Sequence, residues 1–175
     1  VYLPQLMKLV DVKAYFERQN YATDFKKNDY IIAPEIFNNI YKGALGEIIG
    51  KFLLEKFIIP DKNLEELPQT IFEKFDYMLG NGVFIDFKFW NDGNNQSRED
   101  QIKKIFEIKI PDLQKKKINF QKVFIINILA EGKYKIATSN NGQLIEVPYL
   151  VDNTTFQLDT EIISELRNLL KDLPQ

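Results

Sequence analysis

The stretch that most restricts what this chain can become lies between residues 70 and 90. Residues 70–79 and 83–90 are rich in Phe, Ile, Val and Tyr and flank Gly80-Asn81-Gly82. β-Branched and aromatic residues favour strands, and a short glycine-bearing connection reverses the chain between two of them. The pattern predicts a β-hairpin that turns at Asn81. Symmetric pairing about that residue sets Leu79 against Val83, Tyr77 against Ile85, Asp76 against Asp86 and Phe75 against Phe87. Side chains alternate along a strand, so Phe75, Tyr77, Leu79, Val83, Ile85, Phe87 and Phe89 share one apolar face. Asp76, Met78, Phe84, Asp86 and Lys88 share the other. Two carboxylates then stand across from each other with an ammonium beside them. Like charges so placed oppose strand pairing, and Asp is poorly suited to strands. On that register, Asp86→Ala is expected to raise the stability of the cation-free protein. Three circumstances would offset the repulsion: a face open to water, neutralisation by Lys88, or a divalent cation between the carboxylates. A slip of one residue would send the two aspartates to opposite faces.

The flanking sequence predicts the rest of an α/β domain. Ala33-Pro34-Glu35 opens a helix, with Pro suited to its first turn and Glu to its positive end. Apolar residues from Ile36 to Leu53 recur at helical spacing, and the helix is expected to run to about Phe57. Gly43, Gly46 and Gly50 interrupt it, a pattern that suits close approach of another backbone or a ligand. Residues 62–69 read as a polar connection, 91–97 as a loop, and 98–117 as a helix broken at Pro111. A buried strand is expected over 123–130, turning at Glu131-Gly132-Lys133 into 134–138. Asn140-Asn141-Gly142 then turns the chain into a strand over 144–151. A helix over 160–173, capped by Asp159 or Thr160, closes the chain, and a short amphipathic helix is expected over 10–18. The order points to one α/β domain spanning 1–175 with a mixed sheet. The opening at Val1 rather than Met suggests a module excised from a longer protein.

What is missing narrows the chemistry. The chain has no Cys and no His, which excludes disulfides, Cys-based zinc sites, Ser–His–Asp and Cys–His hydrolases, and any histidine base. No phosphate-binding loop of the Gly-x4-Gly-Lys-Ser/Thr type occurs, since Gly50-Lys51 is followed by Phe52. Carboxylates, Lys, Tyr and any hard cation the carboxylates can hold remain. An apolar share of 45% and a charged share of 27% are those of a globular domain, and no apolar run approaches the length of a bilayer, so a cytoplasmic location is expected. The net charge of −2 argues against a surface that grips nucleic acid everywhere. Lysines cluster at Lys103-Lys104, Lys109 and Lys115-Lys116-Lys117, where a solvated helical face is the simpler reading than a phosphate track.

Asp76, nine intervening residues, and then Asp86-Phe87-Lys88 resemble the D…(D/E)-x-K signature of the PD-(D/E)XK, or restriction-endonuclease-like, nucleases. The context agrees: a glycine-turned hairpin follows a helix that contains Tyr41-Lys42-Gly43-Ala44-Leu45-Gly46-Glu47. Phe75 stands where the motif has proline. The resemblance spans roughly residues 34–130 and implies a restriction-endonuclease-like core, a mixed central sheet flanked by helices. It implies a Mg²⁺- or Mn²⁺-dependent nuclease, an endonuclease in the first instance, with DNA ahead of RNA as substrate. Asp76, Asp86 and the main-chain carbonyl of Phe87 would ligate the cation, Glu47 would hold a second ion or a water, and Lys88 would position the attacking water. Gln101 and Lys104, on the next helix, are candidate substrate contacts, and Trp90 a candidate base-stacking residue. Partners implied are nucleic acid, further domains of the same chain and, for double-strand cutting, a second copy. The alternatives are a catalytically silent scaffold or nucleic-acid-binding domain of the same fold, or an unrelated interaction domain in which Lys74, opposite Lys88, helps to balance the aspartates.

Overall fold

The computed structural model describes residues 34–68, 70–71, 74–80, 82–88, 95–130 and 134–171, the side chains of 34–40 and 95–97 excepted. The chain divides into two units, Val1–Leu45 and Gly46–Gln175, and helix α1, Pro34–Leu53, runs from one into the other. The second unit holds everything that follows. α1 ends in a single π turn, Leu54–Ile58. Strands β1 (Glu65–Glu66), β2 (Tyr77–Met78) and β3 (Val83–Lys88) come next. α2 (Asn95–Lys104) passes through a π turn, Ile105–Lys109, into α3 (Ile110–Lys115). β4 (Lys122–Asn127), β5 (Leu129–Ala130), β6 (Ala137–Ser139), β7 (Leu144–Val147) and β8 (Val151–Asp152) precede α4, Thr160–Lys171.

Six strands form a mixed sheet in the order β1-β2-β3-β4-β7-β6, and β5 and β8 form a separate parallel pair. β3, β4 and β7 are parallel, and the outer strands on both sides run antiparallel to their neighbours. Central parallel strands are normally covered on both faces, which their apolar composition allows. On one face Val83, Ile85, Phe87, Phe124, Ile126, Ile145 and Val147 pack with Leu53, Leu54 and Ile58, and with Ile162, Leu166 and Leu170 of α4. On the other, Phe84, Val123, Ile125 and Leu144 pack with Ile105, Ile110 and Leu113. Each fully buried side chain of this size contributes about 2 kcal/mol relative to exposure.

The hairpin has the predicted register at its centre, with Tyr77 opposite Ile85 and Met78 opposite Phe84. Gly80 and Gly82, with φ of 62° and 84°, take the backbone region that the reversal requires. The first arm departs from expectation. Thr70, Ile71 and Lys74 lie in turns, where the Ile71 N–H donates to Pro68 O and the Lys74 N–H to Ile71 O, both at 2.9 Å. The Asp76 N–H bonds Ile85 O at 3.0 Å, although Ile85 is already the partner of Tyr77. An extra residue thus enters the arm, as in a bulge, and inverts the alternation before it. Phe75 lies on the Phe84 side, ring centroids 4.9 Å apart, and not on the face of Phe87.

Other boundaries shift for local reasons. Part of the expected polar connection, Glu65–Glu66, pairs with β2 as an edge strand. The strand expected over 123–130 divides at Ile128, whose N–H bonds Lys88 O at 2.9 Å before the chain joins β8. The strand expected over 144–151 divides around Pro148, which cannot donate to a ladder. Pro111 does not break its helix: it occupies the first turn of α3, just after the π turn, where a missing N–H is tolerated. Asp159 caps α4, its Oδ1 accepting from the Glu161 and Ile162 N–H groups at 3.0 Å. The helix expected over 10–18, Phe89, Trp90, and the turn Glu131-Gly132-Lys133 lie outside the described residues.

The close-approach reading of the α1 glycines holds at Gly50, where a Cβ would strike the Phe87 ring, 2.7 Å from Cγ. Gly43 has no atom within 4 Å of such a Cβ. Gly50→Ala should therefore destabilise the fold: about 1 kcal/mol of helix propensity is gained, against overpacking of about 1–3 kcal/mol. A lowered urea midpoint is the expected result, and a raised one would show that α1 and Phe87 have room to part.

Candidate functional site

β3 changes character along its length. Val83 to Phe87 are buried and Lys88 is partly exposed. Phe84, Asp86 and Lys88 point to the α2–α3 side, since alternate residues share a face. Across the sheet Asp86 is level with Ile125 of β4 and then Glu146 of β7, and Lys88 is level with Asn127. Polar residues thus gather at the C-terminal ends of three parallel strands, the end where α/β sheets hold their ligands.

Asp86 is 3% exposed. The Lys88 ammonium lies 2.8 Å from its Oδ2, and that of Lys109 lies 3.8 Å from the same oxygen. Both approaches are ion pairs, that of Lys88 the closer and charge-assisted one, and among the described residues no further donor reaches this buried oxygen. Asp76 is held differently: its Oδ2 accepts the Phe87 N–H at 2.5 Å. The carboxylate does there what a strand carbonyl would otherwise do. Val83 O accepts from Leu79 and Ile85 O from Asp76, so the odd residues of β3 turn their backbone groups towards the β2 edge. The Phe87 carbonyl therefore lies on the same edge as the Asp76 carboxylate.

Glu47 comes from α1, one turn before Gly50. The contact of Gly50 with Phe87 brings the helix near enough for its charge to act on Asp76 and Lys88. Burial raises the Glu47 carboxyl above its ordinary range, Lys88 opposes the rise and Asp86 adds to it. Burial, the Asp86 charge and that of Glu47 push Asp76 up to about 7, against the pull of Lys88 and the Phe87 hydrogen bond. Burial alone would lower Lys88, but Asp86, Asp76 and Glu47 outweigh it and hold the ammonium above its usual value. Lys109 goes the other way: burial, with Lys88 and Lys104, overcomes Asp86 and Asp76.

The structure brings Glu47, Asp76, Asp86 and Lys88 within electrostatic reach of one another. It does not arrange a ready cage, for no group of three or more carboxylate, His or Cys side chains among the described residues is set to hold a metal ion. Gln101 is partly exposed and Lys104 exposed, and among the described residues no contact ties either to Asp86. Lys74 does not face Lys88: its ammonium pairs with Asp112 at 3.1 Å. Sequence reasoning took Lys109 for part of a solvated helical face, whereas its side chain is only 15% exposed and lies beside Asp86. It also passed over Arg98, whose Nε meets Glu146 Oε1 at 2.7 Å and ties α2 to β7. No protein-family model matches this chain, and no curated protein matches it at a significant level.

Two expectations follow for the cation-free protein. Asp86 is matched by two ammonium groups, so Asp86→Ala removes the nearest counter-charge of both and should lower stability on the order of 3 kcal/mol. This reverses the expectation drawn from repulsion alone, and a rise in melting temperature would contradict it. Asp76 binds its proton more tightly folded, near 7, than unfolded, near 3.8. Its contribution is thus fully present below the unfolded value and lost as pH rises through the folded one. With chelator present, the urea midpoint should fall from about pH 5 to about pH 8, and fall less in Asp76→Asn. Equal falls would place the titration elsewhere.

Proposed function

We propose that this domain hydrolyses phosphodiester bonds in nucleic acid, DNA ahead of RNA, with Mg²⁺ or Mn²⁺ as cofactor. The observation that carries the reading is Asp86, a carboxylate only 3% exposed on a covered strand, whose Oδ2 meets both the Lys88 and the Lys109 ammonium groups. It stands at the C-terminal end of β3 with the Lys88 ammonium 2.8 Å away, and its charge acts on Asp76. The donors suit a hard cation: two aspartates and the Phe87 carbonyl, with no His or Cys in the chain. Mg²⁺ is commonly held by one or two carboxylates, waters and substrate phosphate oxygens, which suits a site without a three-carboxylate cage.

Asp76, Asp86 and the Phe87 carbonyl would hold the ion, and Glu47 a second ion or a water. When bound, the cation lowers the pKa of a coordinated water and offsets charge on the phosphoryl oxygens. The chain's own residues do the positioning. Lys88, cationic and two residues along the same face as Asp86, would orient the attacking water and contact the phosphate. The Phe87 N–H fixes one oxygen of Asp76. Endonucleolytic action, companion domains and a dimer for double-strand cutting belong to the same proposal. Among the described residues no helix is long and apolar enough to cross a membrane.

Asp86→Ala and Lys88→Ala should each reduce Mg²⁺-dependent cleavage of plasmid and oligonucleotide DNA by at least about 100-fold. Cleavage at wild-type rate by folded Asp86→Ala would overturn the reading. A silent scaffold of the same fold would show no cleavage in the wild type either, and no shift in melting temperature on addition of Mn²⁺.

A further inference from the structure

Lys109 enters the acidic cluster from the helical side of the sheet. It is the last residue of the π turn Ile105–Lys109, in which the Ile110 N–H bonds the Ile105 carbonyl five residues back. In an unbroken α-helix the residue four after Ile105 falls on the same face, so Lys109 would point into the core. The wider turn gives that position to Ile110, which is buried with Ile105, and sets Lys109 at the margin against Asp86. Single π turns of this kind often mark functional sites.

The side chain is 15% exposed, its ammonium 3.8 Å from Asp86 Oδ2 and 4.6 Å from the centre of the Phe75 ring. Burying an ammonium is unfavourable unless its charge is used. Asp86 already has a nearer partner in Lys88, at 2.8 Å, so a second cation exceeds what that carboxylate requires. The whole cluster accounts for it. Glu47, Asp76 and Asp86, when ionised, bring three negative charges, and Lys88 and Lys109 bring two positive ones, Lys104 being exposed to solvent outside the cluster. A divalent cation then leaves the site with one positive charge, which one phosphodiester anion cancels. Without Lys109 the loaded site would be neutral before the substrate arrived and negative after it.

We propose that Lys109 is a substrate-positioning residue: it holds Asp86 in the cation-free site, competes with the divalent cation for that carboxylate, and then supplies the positive charge that a nucleic-acid phosphate meets. This inference rests on the nuclease reading above.

The test compares Lys109→Met, Lys109→Gln and Lys109→Arg in the full chain, with Mn²⁺ binding measured by calorimetry and DNA cleavage by steady-state kinetics. Removing a like charge from beside the cation should tighten Mn²⁺ binding about five- to tenfold in the Met and Gln variants. KM for an oligonucleotide duplex should rise about fivefold, with kcat changing less. Lys109→Arg should keep both values near wild type, which a merely structural role for the side chain would not require. If the Met variant does not fold, the Gln variant, with a polar head against Phe75, carries the same comparison. Unchanged or weaker Mn²⁺ binding, or an unchanged KM, in folded variants overturns the inference and leaves the nuclease reading standing. Failure of the wild type to bind Mn²⁺ at all overturns both.

Discussion

Asp86 lies on a strand covered on both faces, beyond the reach of bulk water, and its charge must be met by what the fold brings to it. Lys88 reaches it from two residues along the same strand, and Lys109 from a widened turn of the facing helix. Among the described residues no further donor reaches that oxygen. The rest of this end of the molecule depends on that match. Without Asp86 the two ammonium groups repel each other, and without them the carboxylate has no solvent to turn to.

The remaining features put further charge within reach of that centre while the core on either side stays apolar. Asp76 substitutes for a strand carbonyl by accepting the Phe87 N–H, which fixes its carboxylate where the β2–β3 ladder runs out. Gly50 lets α1 rest on Phe87, and Glu47 one turn earlier adds its charge from that helix. Pushing Asp76 up to about 7 marks the cluster as electrostatically unfavourable when all its carboxylates are ionised. The hydrophobic clusters on both faces of β3, β4 and β7 supply the stability that makes it tolerable.

Much of the architecture was legible because it is written at short range. The glycine-turned hairpin, the helix opening at Pro34, the turn at Asn140-Asn141-Gly142 and the Asp159 cap each rest on residues a few positions apart. The elements that went astray are those whose outcome depends on a distant partner. Glu65–Glu66 becomes a strand only because β2 offers it an edge. Residues 123–130 divide because Ile128 meets Lys88 O. Sequential turns suggested strands folding back on one another, yet β4 pairs in parallel with β7, and β6 adds to the outside.

The chemical candidates on the hairpin, Asp76, Asp86 and Lys88, stood out in the sequence alone, because charged residues are uncommon in so apolar a pair of strands. The α/β class followed from the same periodicities. Which face each group occupies was decided only in three dimensions. An extra residue at Asp76 moves Phe75 to the other side of the sheet, and a π turn moves Lys109 from the core to Asp86. Each shifts a side chain by one position, and such a shift depends on hydrogen bonds to another element. Alternation along a strand and the 3.6-residue repeat of a helix carry no record of those bonds.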